Sequence, residues 1–234
     1  MPTEIKLLCS TAMKTSFDEL LPKFETTTGH KVTPHYGPSK RITKSVAEGE
    51  SNDATIVSAQ GIEELVRHGK LDAGSVIGLA GSAMALAVQK GAPKPDISTA
   101  EKFRQAMLAA KSLGMSNPVG GGTSGGVLME AFERLGIADA MKSKCVYGPG
   151  GPAGLIGNFL VRKEVEIGIQ QLPELLVVPG IDIVGPLPEG IQSVTVFTAG
   201  VSTAAKHPDA AQALIQFLKA PEAAAVYRAK GMEA

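Results

Sequence analysis

Ser116-Asn-Pro-Val-Gly-Gly-Gly-Thr-Ser-Gly-Gly126 runs without a break into Val127-Leu-Met-Glu-Ala-Phe-Glu-Arg-Leu-Gly136. Val127, Leu128, Ala131, Phe132 and Leu135 recur at helical spacing, and Gly136 is placed to end that helix. A glycine-rich loop carrying Thr123 and Ser124 therefore delivers a helix N-terminus. Such an end presents N–H groups without intrahelical acceptors and the positive end of the helix dipole, which together favour an anion. The same glycines also fit a plain flexible turn. They do not form a P-loop, because no Gly-Lys-Ser/Thr follows. Nor do they form a dinucleotide fingerprint, which needs an acidic residue about twenty positions on. What decides the reading is that similar junctions recur along the chain.

Working outward from this loop, the N-terminal part alternates strand and helix. Ile5–Cys9 reads as a strand leading into Ser10-Thr-Ala-Met-Lys14, and Phe17, Leu20, Leu21 and Phe24 carry a helical stripe towards Gly29. Ser16 and Glu19 have capping-box spacing, although the helix also has a possible start at Thr11, and Pro22 predicts a kink. Lys31–Tyr36 is a second strand, and Ser39 is placed to cap a helix carrying Ile42 and Val46. Ala54–Val57 is a third strand, followed by a short helix marked by Ile62, Leu65 and Val66. Ser82–Val88 is a fully apolar strand. Ser98 and Glu101 form a second capping box before Phe103, Met107 and Ala110. After the glycine loop come a strand at Lys144–Tyr147, a second glycine-proline turn at Gly148–Gly154, and a helix with Leu155, Phe159 and Leu160. Val165–Ile169 is a strand ending in Gln170-Gln171; Ile181–Val184 and Val194–Thr198 are further strands. Two Ala-rich helices, with Pro208 and Pro221 near their starts, close the chain.

This alternation predicts an α/β protein with parallel sheets, built as two units with closing helices that return to the first. The chain has 234 residues, 23 basic and 23 acidic, so it has no cationic footprint for nucleic acid. With no tryptophan and 4% aromatic residues it offers no stacking platform for bases. Cys9 and Cys145 lie far apart in apolar stretches and read as small core residues, with a disulfide open only if the fold brings them together. Neither belongs to a metal motif, and no metal or cofactor is expected. No run of about 18 apolar residues exists to span a membrane. Met1-Pro-Thr-Glu4 enters the first strand with none of the features of a secretory signal, so the sequence as it stands reads as cytoplasmic, or as periplasmic if Met1 replaces a removed signal.

Ligands of open α/β sheets sit at the carboxyl ends of strands, against helix N-termini. Four junctions fit: Ser10–Lys14, Gly37–Arg41, Val119–Gly125 and Gly148–Gly154, all rich in Ser, Thr or Gly. At the same places the chain resembles the molybdate-binding branch of the type II periplasmic solute-binding proteins, the substrate-binding family of ABC transporters. The matching residues are Ser10-Thr-Ala-Met-Lys14, Tyr36-Gly-Pro-Ser-Lys-Arg-Ile42, Asp53-Ala-Thr-Ile-Val57, Asn117-Pro, Thr123-Ser-Gly-Gly126, Glu166-Ile-Gly-Ile-Gln-Gln171 and Lys230-Gly-Met232. The resemblance covers nearly the whole chain. It implies a periplasmic-binding-protein-like type II fold, with two lobes, two crossover strands (Ser82–Val88 and Val194–Thr198) and a ligand cleft between the lobes. Lobe 1 would be residues 1–82 plus 199–234, and lobe 2 residues 83–198.

In that family hydroxyls and backbone amides hold an oxyanion. Carried over by position, the ligand-binding residues are Thr11, Ser39, Thr123, Ser124 and an amide at Ala153 or Gly154. Gln171 stands where a molybdate binder commonly has a tyrosine, and Ala12 where it has a serine. Lys40 and Arg41 flank the second loop and could meet a carboxylate, although basic residues in an opening helical turn usually face solvent. His30 and His35 read as turn and surface residues. The functional expectation is a monomeric solute-binding protein for a small anion, a molybdate-like oxyanion or small carboxylate, with an ABC-transporter permease as partner if exported and no nucleic acid or membrane insertion. The alternative is an isomerase of an unsaturated tricarboxylate such as aconitate, as some proteins resembling this family are; for that reaction the sequence supplies no evident base, and catalytic residues stay unassigned.

Overall fold

The computed structural model describes residues 2–234. In chain order the first unit contains β1 (Glu4–Ser10), α1 (Lys14–Thr28), β2 (Lys31–Gly37), α2 (Ser39–Ala47), β3 (Ala54–Ser58), α3 (Ala59–Arg67) and β4 (Ile77–Ser82). The second contains β5 (Met84–Gln89), α4 (Ala100–Ala109), β6 (Leu113–Ser116), α5 (Thr123–Arg134), α6 (Ala138–Lys142), β7 (Cys145–Gly148), α7 (Ile156–Val161), β8 (Ile167–Gln171), α8 (Leu172–Leu176) and β9 (Ile181–Pro186). The chain then returns to the first unit with β10 (Thr195–Val201), α9 (Pro208–Lys219) and α10 (Pro221–Ala229). Compactness divides it into residues 1–82 with 195–234, and residues 83–194.

Each unit is built on one five-stranded mixed sheet, and the two sheets share a plan. In the first the order is β2-β1-β3-β10-β4, with β1 parallel to β2 and β3, and β10 antiparallel to both β3 and β4. In the second the order is β7-β6-β8-β5-β9, with β6 parallel to β7 and β8, and β5 antiparallel to β8 and β9. β1, β2 and β3 therefore end on one edge of their sheet, and β6, β7 and β8 on one edge of theirs. Because β10 reverses direction twice over, β4 also ends on the carboxyl edge of the first sheet.

Strand sequences show why both sheets are covered on two faces. Along β1, Ile5, Leu7 and Cys9 enter a core shared with Phe17, Leu20 and Phe24 of α1 and Leu214 and Leu218 of α9. Leu8 points the other way, onto Ile42, Val46, Ile62 and Leu65 of α2 and α3. In the second unit Met84, Leu86 and Val88 of β5 face Phe103, Met107, Leu128 and Phe132, whereas Ala85 and Ala87 face Leu160 and Leu175. The small residues on that second face let α7 lie close. A Cβ at Gly114 would stand 2.8 Å from Ile156 Cγ2, and one at Gly168 2.7 Å from the same atom. Glycine is required there by packing.

Several boundaries differ from expectation. The expected crossover strand at Ser82–Val88 is two strands, β4 and β5, separated at Ala83. The second expected crossover, Val194–Thr198, corresponds to a longer strand, Thr195–Val201, whose ladders with β3 and β4 place it wholly in the first sheet, so the unit boundary falls at 194/195 and not at 198/199. The helix after β1 starts with a 3-10 turn at Thr11–Met13, and Ser16 lies within α1 instead of capping it. α1 continues through Pro22. Thr99, and not Ser98, caps α4: its Oγ1 accepts the Lys102 N–H at 3.2 Å. Pro38 occupies the cap position of α2, with Ser39 its first residue. Gly29 and Gly136 stop α1 and α5 in the left-handed conformation, at φ 76° and 66°. Cys9 is buried, Cys145 is half-buried on β7, and both thiols are free. No helix among the described residues is long and apolar enough to cross a membrane.

Candidate functional site

On the first sheet, β1 and β2 pair so that Ser10 lies opposite Gly37, which brings the two loops that follow them side by side at the carboxyl edge. Thr11 opens the 3-10 turn after β1. It is buried, and its Oγ1 has no protein partner. Ser39 is likewise buried. The first intrahelical bond of α2 runs from the Ile42 N–H to the Pro38 carbonyl at 3.0 Å, so the N–H groups of Ser39, Lys40 and Arg41 precede it and have no acceptor within the helix. Lys40 and Arg41 are exposed. The Arg41 guanidinium nevertheless folds back over the end of β2, with Nη2 3.6 Å from where a Gly37 Cβ would stand. Lys14 is already engaged: its Nζ meets Asp18 at 2.7 Å and lies 5.6 Å from the Tyr36 ring centre. Burial, and then the nearness of Cys9 and Asp18, holds the Tyr36 phenol well above its usual range, so it stays neutral.

Two hydroxyls on this edge escape sequence reasoning. Ser82 ends β4, is completely buried, and its Oγ has no protein partner; Thr15, in the first turn of α1, is half-buried, with its Oγ1 enclosed and likewise without a protein partner. Ser82 could be placed only once the direction of β4 was known, and that is set by the distant strand β10.

On the second sheet, Ser116 pairs with Gly148 and Met115 with Ile169, so the loops after β6, β7 and β8 emerge from one edge. The loop at 117–122 is pinned, not slack. Asn117 Oδ1 accepts the N–H groups of Val119 at 2.9 Å and Gly120 at 3.0 Å, and the Asn117 carbonyl accepts the Gly122 N–H at 3.1 Å. Gly125 sits so tightly on β6 that a Cβ would approach the Ser116 carbonyl oxygen to 2.1 Å. Ser124 is buried and bonds Ser116 Oγ at 3.2 Å, and Thr123 Oγ1 is buried without a protein partner. The first bond of α5 joins the Gly126 N–H to the Gly122 carbonyl, which leaves the N–H groups of Thr123, Ser124 and Gly125 ahead of it.

The turn after β7 corrects one expectation. The Gly154 N–H donates to the Gly151 carbonyl at 2.9 Å, inside its own turn, so of the two amides expected there only that of Ala153, an exposed residue, is left as a donor. Gln170 clamps this turn to β8: its Oε1 accepts the Ile156 N–H at 2.8 Å and its Nε2 donates to the Gly154 carbonyl at 3.4 Å. The adjacent glutamines therefore divide their work. Gln171 is buried at the end of β8, opposite Met84, and is the N-cap residue of α8.

That short helix brings in a residue the sequence reading passed over. Glu174 is half-buried; its carboxyl accepts the Gln171 N–H, and partial loss of solvent around that carboxyl pushes it up to about 8 against that bond. The signal was present in Gln171-Leu-Pro-Glu174: a proline at the first turn and an acid at the third helical position mark a helix start. His30 stacks on Phe24 and His35 is exposed on β2, as turn and surface residues. Among the described residues no cluster of three or more His, Cys, Asp or Glu has the geometry to hold a metal ion.

The family model for bacterial extracellular solute-binding proteins matches residues 5–233. The chain belongs to that family. Among individual relatives it is 32% identical over 236 residues to an aconitate isomerase from Pseudomonas sp, covering 99% of this chain and 88% of the relative. It is 26% identical to the molybdate-binding protein ModA of Azotobacter vinelandii, covering 97% and 89%. Among solved structures, the Azotobacter vinelandii periplasmic molybdate-binding protein superposes with a TM-score of 0.82 at 18% identity, covering 98% of this chain and 99% of that one. The two-lobed type II solute-binding fold and the molybdate-binding-like branch are thereby shown.

Proposed function

We propose that this solute-binding protein captures a small carboxylate anion, using backbone N–H groups and hydroxyls at the carboxyl edges of its sheets, for delivery to a membrane permease. The observation that carries this reading is a pair of buried hydroxyls, Thr11 Oγ1 and Thr123 Oγ1, one on each unit, both at strand-to-helix junctions and neither with a protein partner. A buried hydroxyl left unbonded costs roughly 1–3 kcal/mol, and a bound anion would recover that cost. The helix-start amides at Ser39–Arg41 and Thr123–Gly125 supply dipoles of the right sign without net charge. Ala12 and Gln171 support a carboxylate over molybdate, because they stand where the resemblance places two oxyanion-binding hydroxyls. Arg41, able to pair bidentately, supports it further.

A thermal-shift panel of molybdate, tungstate, sulfate, phosphate, citrate and the aconitates tests this. A ligand at a hundred times its dissociation constant stabilises by about 2.7 kcal/mol. We expect the carboxylates to raise the melting temperature and molybdate to leave it unchanged; a shift with molybdate alone would overturn the ligand class.

A second reading has a specific observation in its favour. The relative of 32% identity is an aconitate isomerase, aligned over 99% of this chain. On this reading the same donors hold an unsaturated tricarboxylate while a proton moves along its allylic system. Conversion of cis-aconitate to the trans isomer, followed by proton NMR, tests it directly, and absence of turnover would remove it.

A further inference from the structure

Resting on the isomerase reading, we propose that Glu174 is the catalytic residue that moves the proton. Its place in the fold supplies the geometry. The carboxylate is held on the N–H of Gln171, the last residue of β8, on the sheet edge where the Thr123–Gly125 amides also emerge. Neighbouring charge is scarce. α8 packs against α7, β5, β8 and β9, and the only charged residue on those four elements is Asp182, whose carboxylate accepts the Gly91 N–H at 2.9 Å. No Lys, Arg or His among the described residues forms an ion pair with Glu174, whereas Glu19, Glu25, Asp96, Asp139 and Glu164 each have at least one. Pro173 has no N–H to offer the carboxylate, and Leu172 and Leu175 flank it within an apolar cluster. A lone carboxyl in such surroundings binds its proton more tightly than one in water, and its proton affinity rises towards that of a base working near neutral pH.

The step balances without a co-reactant. Ionised Glu174 takes a proton from the methylene carbon of the substrate. The C–H electron pair becomes the new C=C bond as the existing double bond shifts by one carbon, and the same proton is returned to the far end of the allylic system. The negative charge passing through the carbon frame spreads into the substrate's own carboxylate, where helix-start N–H groups stabilise it.

The test is Glu174→Gln in the full chain, with cis-aconitate as substrate. We expect isomerisation to fall by roughly 100- to 10,000-fold while the thermal shift given by trans-aconitate is kept, because general acid–base catalysis contributes on that scale and the amide leaves the anion donors in place. Glu174→Asp should recover part of the rate, and the wild-type rate should rise with pH along a limb near 8 that the Gln variant lacks. Failure of each layer is separable. If the wild type does not isomerise aconitate, the isomerase reading falls and the role of Glu174 with it. If the wild type turns over and the Gln variant does so within about threefold, the reading stands and Glu174 is not the base. Folding of the Gln variant is checked by melting at two pH values. The raised carboxyl stabilises the native state below the unfolded value of 4.5, and that stability is lost as pH rises through about 8. The Gln variant should therefore match the wild type at pH 4 and exceed it at pH 9.

Discussion

Two threonines bear most of the functional argument at the scale of single residues. Thr11 and Thr123 have hydroxyls that the protein buries and does not satisfy. Replacing either with valine keeps the shape and removes the unbonded oxygen, so without ligand each variant should be as stable as the wild type or up to roughly 1 kcal/mol more stable in urea unfolding. A clear loss of stability would mean that the hydroxyl has a protein partner. Ser124 tests the amides. Proline is tolerated in the first turn of a helix, so Ser124→Pro should fold with unchanged far-ultraviolet circular dichroism, yet show no thermal shift with the anion that stabilises the wild type. An unchanged shift in the folded variant would place the anion elsewhere.

Elements impose the next constraint, because close packing holds the proposed binding loops in place. Gly125 touches the Ser116 carbonyl so closely that Gly125→Ala must push α5 away from β6, at a cost of about 1–3 kcal/mol and with loss of the ligand response. Gly78 on β4 is the control: an added Cβ there meets nothing nearer than Val196 Cγ1 at 3.9 Å, so Gly78→Ala should change stability by no more than about 0.5 kcal/mol. Legibility in the sequence also follows element length. The long strands and helices of the first unit were readable because residues such as Leu7, Leu8 and Cys9 are apolar on both faces, which only a doubly covered strand requires. β6 was not readable. Its four residues, Leu-Gly-Met-Ser, include a glycine kept for the approach of Ile156, and they merge into the glycine loop. α8 was missed because five residues are too few to show a period. Of the candidate site, the junctions holding Thr11, Ser39, Thr123 and Ser124 were legible from local chemistry, and the resemblance singled out the residues within them. Ser82 could not, since its edge depends on β10, more than a hundred residues downstream in sequence.

For the whole molecule, the repeated strand order says that each unit is a complete sheet with its own two-sided core. The second is continuous in sequence, from 83 to 194, and no strand of its sheet comes from outside that range. Expressed alone, that segment should fold and unfold cooperatively in urea; a broad, non-cooperative loss of helix signal would show that its core is incomplete without the rest. The first unit has no such independence in sequence, because β10, α9 and α10 arrive only after the second is finished.

The central claim is that buried, unpartnered hydroxyls at strand-to-helix junctions mark where an anion is held. Calorimetric titration of trans-aconitate into the wild type, Thr11→Val and Thr123→Val at one pH tests it most directly. A hydrogen bond to a charged group is worth roughly 1.5–3 kcal/mol, so at least one of the two variants should bind about ten to a hundred times more weakly than the wild type. Binding by both variants at wild-type affinity would contradict the account.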